Sequence, residues 1–297
     1  MTNRYRLVSS ADALKRTQDM IELHPKKVIF ISAEGTETES DYFNHLYASL
    51  VEKHGKTLPF ILVVLEHERD TDSDPRHVLG LIEECSRIRN DNLIFSSELG
   101  NLGEKFSEER VIKFFKEPES FDVEERTDFY DTLVKIGIDV DYYQKLRSEG
   151  GGDNDDIFAI VIDRDQGCHS LAMLKDVKSK CQNRGFLYCL TNPCFEFWLL
   201  LHFVDVARVL NEEQKVQCLA NDHVSNNHTY VSKLLSENVH HRKSIPKQTF
   251  DDKYFPHIKD ALRHLQSLAI DENDVLLALG SSLPVLFNEI GFLTIKN

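Results

Sequence analysis

Ile157-Phe158-Ala159-Ile160-Val161-Ile162-Asp163-Arg164-Asp165 is the stretch whose reading decides the fold. Six apolar residues in a row, rich in β-branched side chains, read as a strand buried on both faces. The run stops at two acids, Asp163 and Asp165, one residue apart. Side chains alternate along extended backbone, so both carboxylates are expected to leave the carboxyl end of a central strand together. In an open α/β sheet that end is where ligands bind. Two acids at close range repel unless a hard cation such as Mg²⁺ lies between them. A solvated strand-end turn explains the same pair, because Asp is common in turns.

Upstream, Lys27-Val28-Ile29-Phe30-Ile31-Ser32 reads as a first buried strand that runs into Ala33-Glu34-Gly35-Thr36-Glu37-Thr38-Glu39. Gly35 allows a tight turn, Thr36 or Thr38 can cap a following helix, and Phe43, Leu46, Tyr47 and Leu50 give that helix an apolar stripe. Stabilisation of the helix dipole explains Glu37 and Glu39; it explains Glu34, at the strand end, less well. Residues 11–16 are helix-like and precede Pro25. Phe60–Leu65 is a second strand, and Asp74-Pro75 starts another helix with Asp at the cap and Pro at the first helical position. A charged, mostly helical insertion is expected at about 90–150, closed by the Gly150-Gly151-Gly152 joint.

Downstream, a helix over 171–184 leads to a fourth strand, Gly185–Leu190, and then to Thr191-Asn192-Pro193-Cys194-Phe195-Glu196-Phe197-Trp198-Leu199-Leu200-Leu201-His202-Phe203. Asn192 is the expected cap and Pro193 the expected first helical residue. The helix is apolar nearly all round, so Glu196 is the odd residue, either paired or metal-bound or satisfied by the helix amino terminus. From 205 onward the strand signal is lost and the chain looks helical, with polar loops around 221–229 and 244–254. The domain reading is therefore 1–204 followed by a helical region, 205–297.

The 297-residue chain has a net charge of −14, a pI near 5.4 and a mean hydropathy of −0.35. That balance argues against a protein that coats nucleic acid by overall charge, but not against a nuclease whose own site needs acids. The clearest basic stretch, His240–Lys247, offers Arg242, Lys243 and Lys247 for nucleic acid and is equally well a solvated loop. Six cysteines without CxxC spacing fit a reduced, cytoplasmic setting. No secretory h-region and no apolar run long enough to span a bilayer is expected.

Alternating strands and helices predict an α/β fold with a mainly parallel sheet flanked by helices. Three strand ends then deliver Glu34, the Asp163/Asp165 pair, and Asn192 with Glu196 to one edge. This pattern resembles the Toprim fold, in which a Glu after the first strand and a DxD after a later one hold Mg²⁺. Glu34-Gly35-Thr36-Glu37-Thr38-Glu39 with Tyr42-Phe43, then Asp163-Arg164-Asp165, then the Asn192–Phe203 string, resembles the RloB family. RloB-like proteins are Toprim-related and often sit beside restriction loci and a partner ATPase in bacterial phage-defence islands. The resemblance covers most of 26–80 and 155–205 and, more weakly, Ser281–Val285. The insertion is longer than the family leads one to expect, and the lysine-rich segment after the Asn192–Phe203 string is only loosely present.

The resemblance implies a Mg²⁺- or Mn²⁺-dependent nuclease of the RloB/OLD-like Toprim kind, acting in anti-phage defence. Asp163 and Asp165 would bind metal, Glu34 would bind it or act as general base, and Glu39 would help a second cation. Glu196 and Asn192 would orient these ligands from behind. The competing reading is a catalytically quiet defence subunit that docks on an AAA/ABC-type ATPase. A dinucleotide binder lacks its glycines, since no GxGxxG or GK[ST] follows Glu34. DNA versus tRNA or other RNA stays open, as does homo-oligomer formation.

Overall fold

The computed structural model describes residues 27–65, 74–90, 92–93, 99, 103–149, 155–239, 244–271 and 274–292. The helix-like 11–16, the glycine joint at 150–152, and Arg242 and Lys243 lie outside these residues. Four apolar runs form parallel strands: β1 (Lys27–Ala33), β2 (Phe60–Val64), β3 (Ile157–Asp163) and β4 (Leu187–Asn192). The sheet order is β2-β1-β3-β4-β7, with β7 (Gly280–Ser281) antiparallel to β4. Register pairs Ile29 with Ile157 and Ala33 with Val161, so β1 and β3 end almost level.

Strand alternation sorts the core into two layers. Ile29, Ile31, Ala33, Ala159 and Val161 face one side, where α1 (Thr38–His54) packs with Tyr42, Phe43, Leu46 and Leu50. Val28, Phe30, Phe158, Ile160 and Ile162 face the other, covered by α2 (Pro75–Arg89) and α6 (Leu171–Arg184). The connection after β1 thus leaves on one face and that after β3 on the opposite face. The gap between their carboxyl ends is the topological switch point, where α/β sheets bind ligands.

The insertion carries α3 (Glu108–Lys116), α4 (Val123–Lys135) and α5 (Val140–Ser148). It is packed on the second layer through Phe114, Phe129 and Leu133. Arg89, with 4 % of its side chain exposed, pins it there. Its Nε meets Asp156 at 2.7 Å, and its Nη1 donates to the carbonyls of Leu146, Arg147 and Glu149 at 2.7–3.1 Å.

Three local expectations are corrected. α1 begins at Thr38 with Glu37 at its cap position and no side-chain cap. Asn192 and Pro193, joined by a cis peptide, do not start the next helix. Asn192 is still in β4, bridged to Gly280, so α7 (Phe195–Leu200) takes Cys194 as its cap. The strand-free reading of 205–297 is also corrected. α8 (Val206–Val209), α9 (Glu212–Ala220), α10 (Tyr230–Ser236), α11 (Lys247–Thr249), α12 (Ile258–Ser267) and α13 (Pro284–Glu289) are joined by a hairpin, β5 (His223–Ser225) and β6 (His228–Thr229), and by β7. Asp74 does cap α2, accepting from Arg76 N at 2.8 Å. Among the described residues no helix is long and apolar enough to cross a membrane.

Candidate active site

Glu34 stands at the switch point. Its N–H extends the β1–β3 ladder by donating to Val161 O at 2.9 Å. Its carboxylate is held at both oxygens: Oε2 accepts from Asp163 N at 3.0 Å and Oε1 lies 2.9 Å from His169 Nε2. An ionised carboxylate only accepts, so Nε2 carries the proton. Both side chains are nearly covered, 11 % and 6 % exposed. The hydrogen bond to Glu34 raises the His169 pKa, although burial opposes the rise.

The loop after β3 delivers that histidine. Buried Arg164 donates from Nη1 to His169 O at 2.7 Å and from Nε to Leu276 O at 3.2 Å. Asp165 O accepts from both Cys168 N and His169 N. His169 is a site residue that sequence reasoning missed. A lone histidine four residues beyond a DxD has no spacing signal of its own, and the loop geometry that brings it back is tertiary.

Asp163 is half-buried, and Phe195 N–H at the start of α7 donates to its carboxylate. Loss of solvent, then Glu39, Glu34 and Glu196, push its pKa well above the usual carboxylate range. Glu39 is buried at 7 % exposure. Its pKa is pushed up to about 8 by burial and by Glu196 and Glu34, against the pull of the Glu39 and Gly35 amides. Gly35 is required for this arrangement, since a Cβ there would stand 1.8 Å from Glu39 Oε2. Glu34, Glu39, Asp163 and Glu196 thus share one small, poorly solvated space. Cys194 borders it, its thiol pushed up by burial and by Glu196 and Asp163 and touched by Asn221 Nδ2 at 3.3 Å.

Behind the acids lies a neutral layer. His202 Nδ1 donates to Trp198 O and Nε2 accepts from Tyr42 OH, both at 3.0 Å; burial pushes His202 down to about 3.

Asp165 departs from the expected geometry. β3 ends at Asp163, so alternation no longer applies two residues on. Asp165 takes φ +26°, is exposed, and accepts from Gly167 N at 3.2 Å. Glu196 is brought into the acid cluster itself rather than behind it. Asn192 stands on the opposite face, its Nδ2 donating to Val275 O at 2.8 Å and its Oδ1 buried without a hydrogen-bond partner. Lys247 lies about three turns along α1 from Glu39, its Nζ within 2.7 Å of Asp251 Oδ1 and 3.4 Å of Glu52.

Among the described residues no three His, Cys, Asp or Glu side chains stand ready-made as metal ligands. The donor set nevertheless fits a hard divalent cation. It is all carboxylate oxygen, crowded, and partly desolvated, so a positive charge relieves the repulsion that raises Glu39 and Asp163. A cavity of about 640 Å³ lies on the insertion between Lys105, Asp122 and Asp131 and holds none of these acids.

No curated protein and no solved structure matches the chain. A family model described as RloB-like protein matches residues 29–278, a span that begins in β1, takes in the switch point and its four acids, and ends just before β7. The chain therefore belongs to the RloB-like protein family.

Proposed function

We propose that this protein is a divalent-metal-dependent nuclease that hydrolyses phosphodiester bonds. The observation that carries the reading is the crowding of Glu34, Glu39, Asp163 and Glu196 at the switch point of a parallel sheet. That arrangement is costly in a metal-free fold: two of the four carboxyls are driven toward the neutral form. Glu34, Glu39, Asp163 and Glu196 would hold Mg²⁺ or Mn²⁺, while Asp165, exposed on the loop after β3, stands outside this set. Bound there, the ion would supply Lewis acidity and an activated water. The chain's own groups do the positioning: His169 fixes Glu34, the Gly35 amide fixes Glu39, and the Phe195 amide fixes Asp163. The resemblance to Toprim nucleases supports a role in bacterial anti-phage defence, in the cytoplasm, with DNA or RNA as substrate and an ATPase as partner.

The test is cleavage of plasmid DNA and total tRNA with Mg²⁺ or Mn²⁺ against EDTA, beside Asp163→Ala. Metal-dependent cutting that Asp163→Ala abolishes supports the nuclease. The double engagement of Glu34 gives the competing reading its one foothold. No cutting, even with an added partner ATPase, would favour a quiet subunit that docks on that ATPase.

A further inference from the structure

The polar stretch 221–229 forms the β5–β6 hairpin, with His223 opposite Thr229 and Ser225 opposite His228. Residues 222–227 are all exposed, and His228 and Thr229 are half-buried. An isolated two-stranded ribbon is marginally stable in water, so its attachment matters. Asn221, at φ +48°, a backbone conformation Asn tolerates, makes the attachment. Its Oδ1 accepts from Val231 N at 3.0 Å, and its Nδ2 touches Cys194 Sγ, the thiol that lies against Glu196 and Asp163. On the same side, Gln166 Nε2 from the loop after β3 reaches Leu219 O at 3.4 Å. The hairpin is thus fixed to the rim of the acid cluster.

Its charge is unusual for this chain. The whole sequence carries 49 acids in 297 residues, yet His223 to Phe250 contains only one, Glu237. At the rim of an acid site in a protein of net charge −14, an acid-poor surface is the less repulsive one for phosphate. Beyond Asp222 at its base, the ribbon's polar side chains are Asn, Ser, Thr and His, neutral donors of the kind that hold phosphate and sugar. A two-stranded ribbon also has the dimensions to enter a DNA major groove.

We infer that the β5–β6 hairpin is the substrate-holding surface of this site and grips a nucleic-acid strand through His223, Ser225, Asn226, Asn227 and His228. The inference rests on the nuclease reading and says where that nuclease holds its substrate.

The experiment measures fluorescence anisotropy with labelled single-stranded DNA, single-stranded RNA and duplex DNA of one sequence, in the full chain carrying Asp163→Asn. Two hairpin variants are added to it: a combined His223→Ala, Asn226→Ala, Asn227→Ala, His228→Ala, and an exposed-tip pair, Asn226→Asp with Asn227→Asp. Each hairpin variant is also assayed for cutting in the otherwise wild-type chain. Loss of several hydrogen bonds should weaken binding by about tenfold or more. The alanine variant removes no lysine or arginine, so the dependence of log K on log salt should keep its slope. The Asp pair should weaken binding most at low salt, and being exposed it does not risk the fold. Binding lost equally with DNA and RNA points to backbone recognition; loss with one alone identifies the substrate. A wild-type chain that cuts, with both variants binding and cutting as it does, overturns the hairpin inference and leaves the nuclease standing. A chain that binds but never cuts, with binding lost in both variants, overturns the nuclease and leaves the hairpin. A chain that binds none of the probes overturns both.

Discussion

Glu39 ties the stability of the metal-free protein to pH. Its carboxyl titrates near 8 in the fold against an ordinary 4.5, so the native state holds this proton more tightly than the unfolded chain. The stabilisation is full below 4.5 and is lost as pH rises toward about 8. Asp163, also raised, and His169, raised above 6.5, act in the same direction. His202 acts oppositely: buried neutral with a pKa near 3 against 6.5, it costs stability as pH falls below 6.5. Thermal unfolding in EDTA should therefore occur at lower temperature at pH 8.5 than at pH 6.5. Glu39→Gln should remove part of that fall, and Mg²⁺ should reverse it by binding the ionised native state. A melting temperature that rises with pH over this range in EDTA would refute the crowded-acid description. At the same scale, His169→Ala frees the Glu34 carboxylate that Nε2 now holds. Mn²⁺ affinity, read by calorimetric titration, should drop ~10–100-fold, as is typical when the group orienting a ligand is removed. His169→Gln, which keeps a terminal N–H donor, should recover part of it. Equal affinity in all three proteins would show that Glu34 needs no such support.

At the scale of elements, the junction of β1 and α1 is where backbone and chemistry are coupled. Ala at position 35 would place its Cβ 1.8 Å from Glu39 Oε2 and 2.4 Å from Glu39 Cδ. The obstacle is the end of a side chain, so the backbone can stay and the carboxylate must leave. Gly35→Ala should keep the far-ultraviolet circular dichroism of the wild type while losing Mn²⁺ binding; a variant that binds Mn²⁺ normally would show that Glu39 is not part of the centre. Arg89 couples elements in another way, joining α2 to the end of α5 and the start of β3. Arg89→Leu leaves Asp156, 11 % exposed, without its partner and strands three carbonyls, a loss of ~3–5 kcal/mol by denaturant unfolding. Asp156→Asn added to it should restore part of that. These couplings show what sequence could reveal. β1 to β4 and the acids Glu34, Glu39 and Asp163 were legible because buried parallel strands are continuous apolar runs and their ends are abrupt. Asp165 was misread because alternation holds only within a strand, and the chain leaves β3 at Asp163. Glu196 was placed behind the ligands because a helix start offers an acid its own explanation. β7 left no trace, since two residues, Gly280 and Ser281, carry no periodicity.

At the scale of the whole molecule, the C-terminal third is a layer of the sheet's own core. Ser281 Oγ meets Thr191 Oγ at 2.9 Å, and Leu190 N donates to Ser282 Oγ at 2.8 Å, so the edge of β4 is closed by residues ninety positions away. Leu283, Leu286 and Phe287 are fully buried, with Phe287 5.2 Å from Trp198 between ring centroids. Val231, Leu235, Phe250, Tyr254 and Ile258 cover the same face of the sheet as α1. A boundary at 204 cuts through this packing, not between two cores. Removing residues 205–297 would uncover Phe195, Trp198 and Tyr42, each at most 1 % exposed, at ~1.5–3 kcal/mol for each large apolar side chain returned to water. Residues 1–204 should therefore fail to accumulate as a soluble monomer. In the full chain Trp198 is the single tryptophan and sits where the C-terminal helices meet the sheet. Its fluorescence and the circular dichroism of the whole molecule should report one denaturant transition with one midpoint. A fluorescence transition at lower denaturant than the dichroism would instead mean that the C-terminal layer opens by itself. That outcome would make the region a separable unit, and with it the hairpin that it holds against the acids.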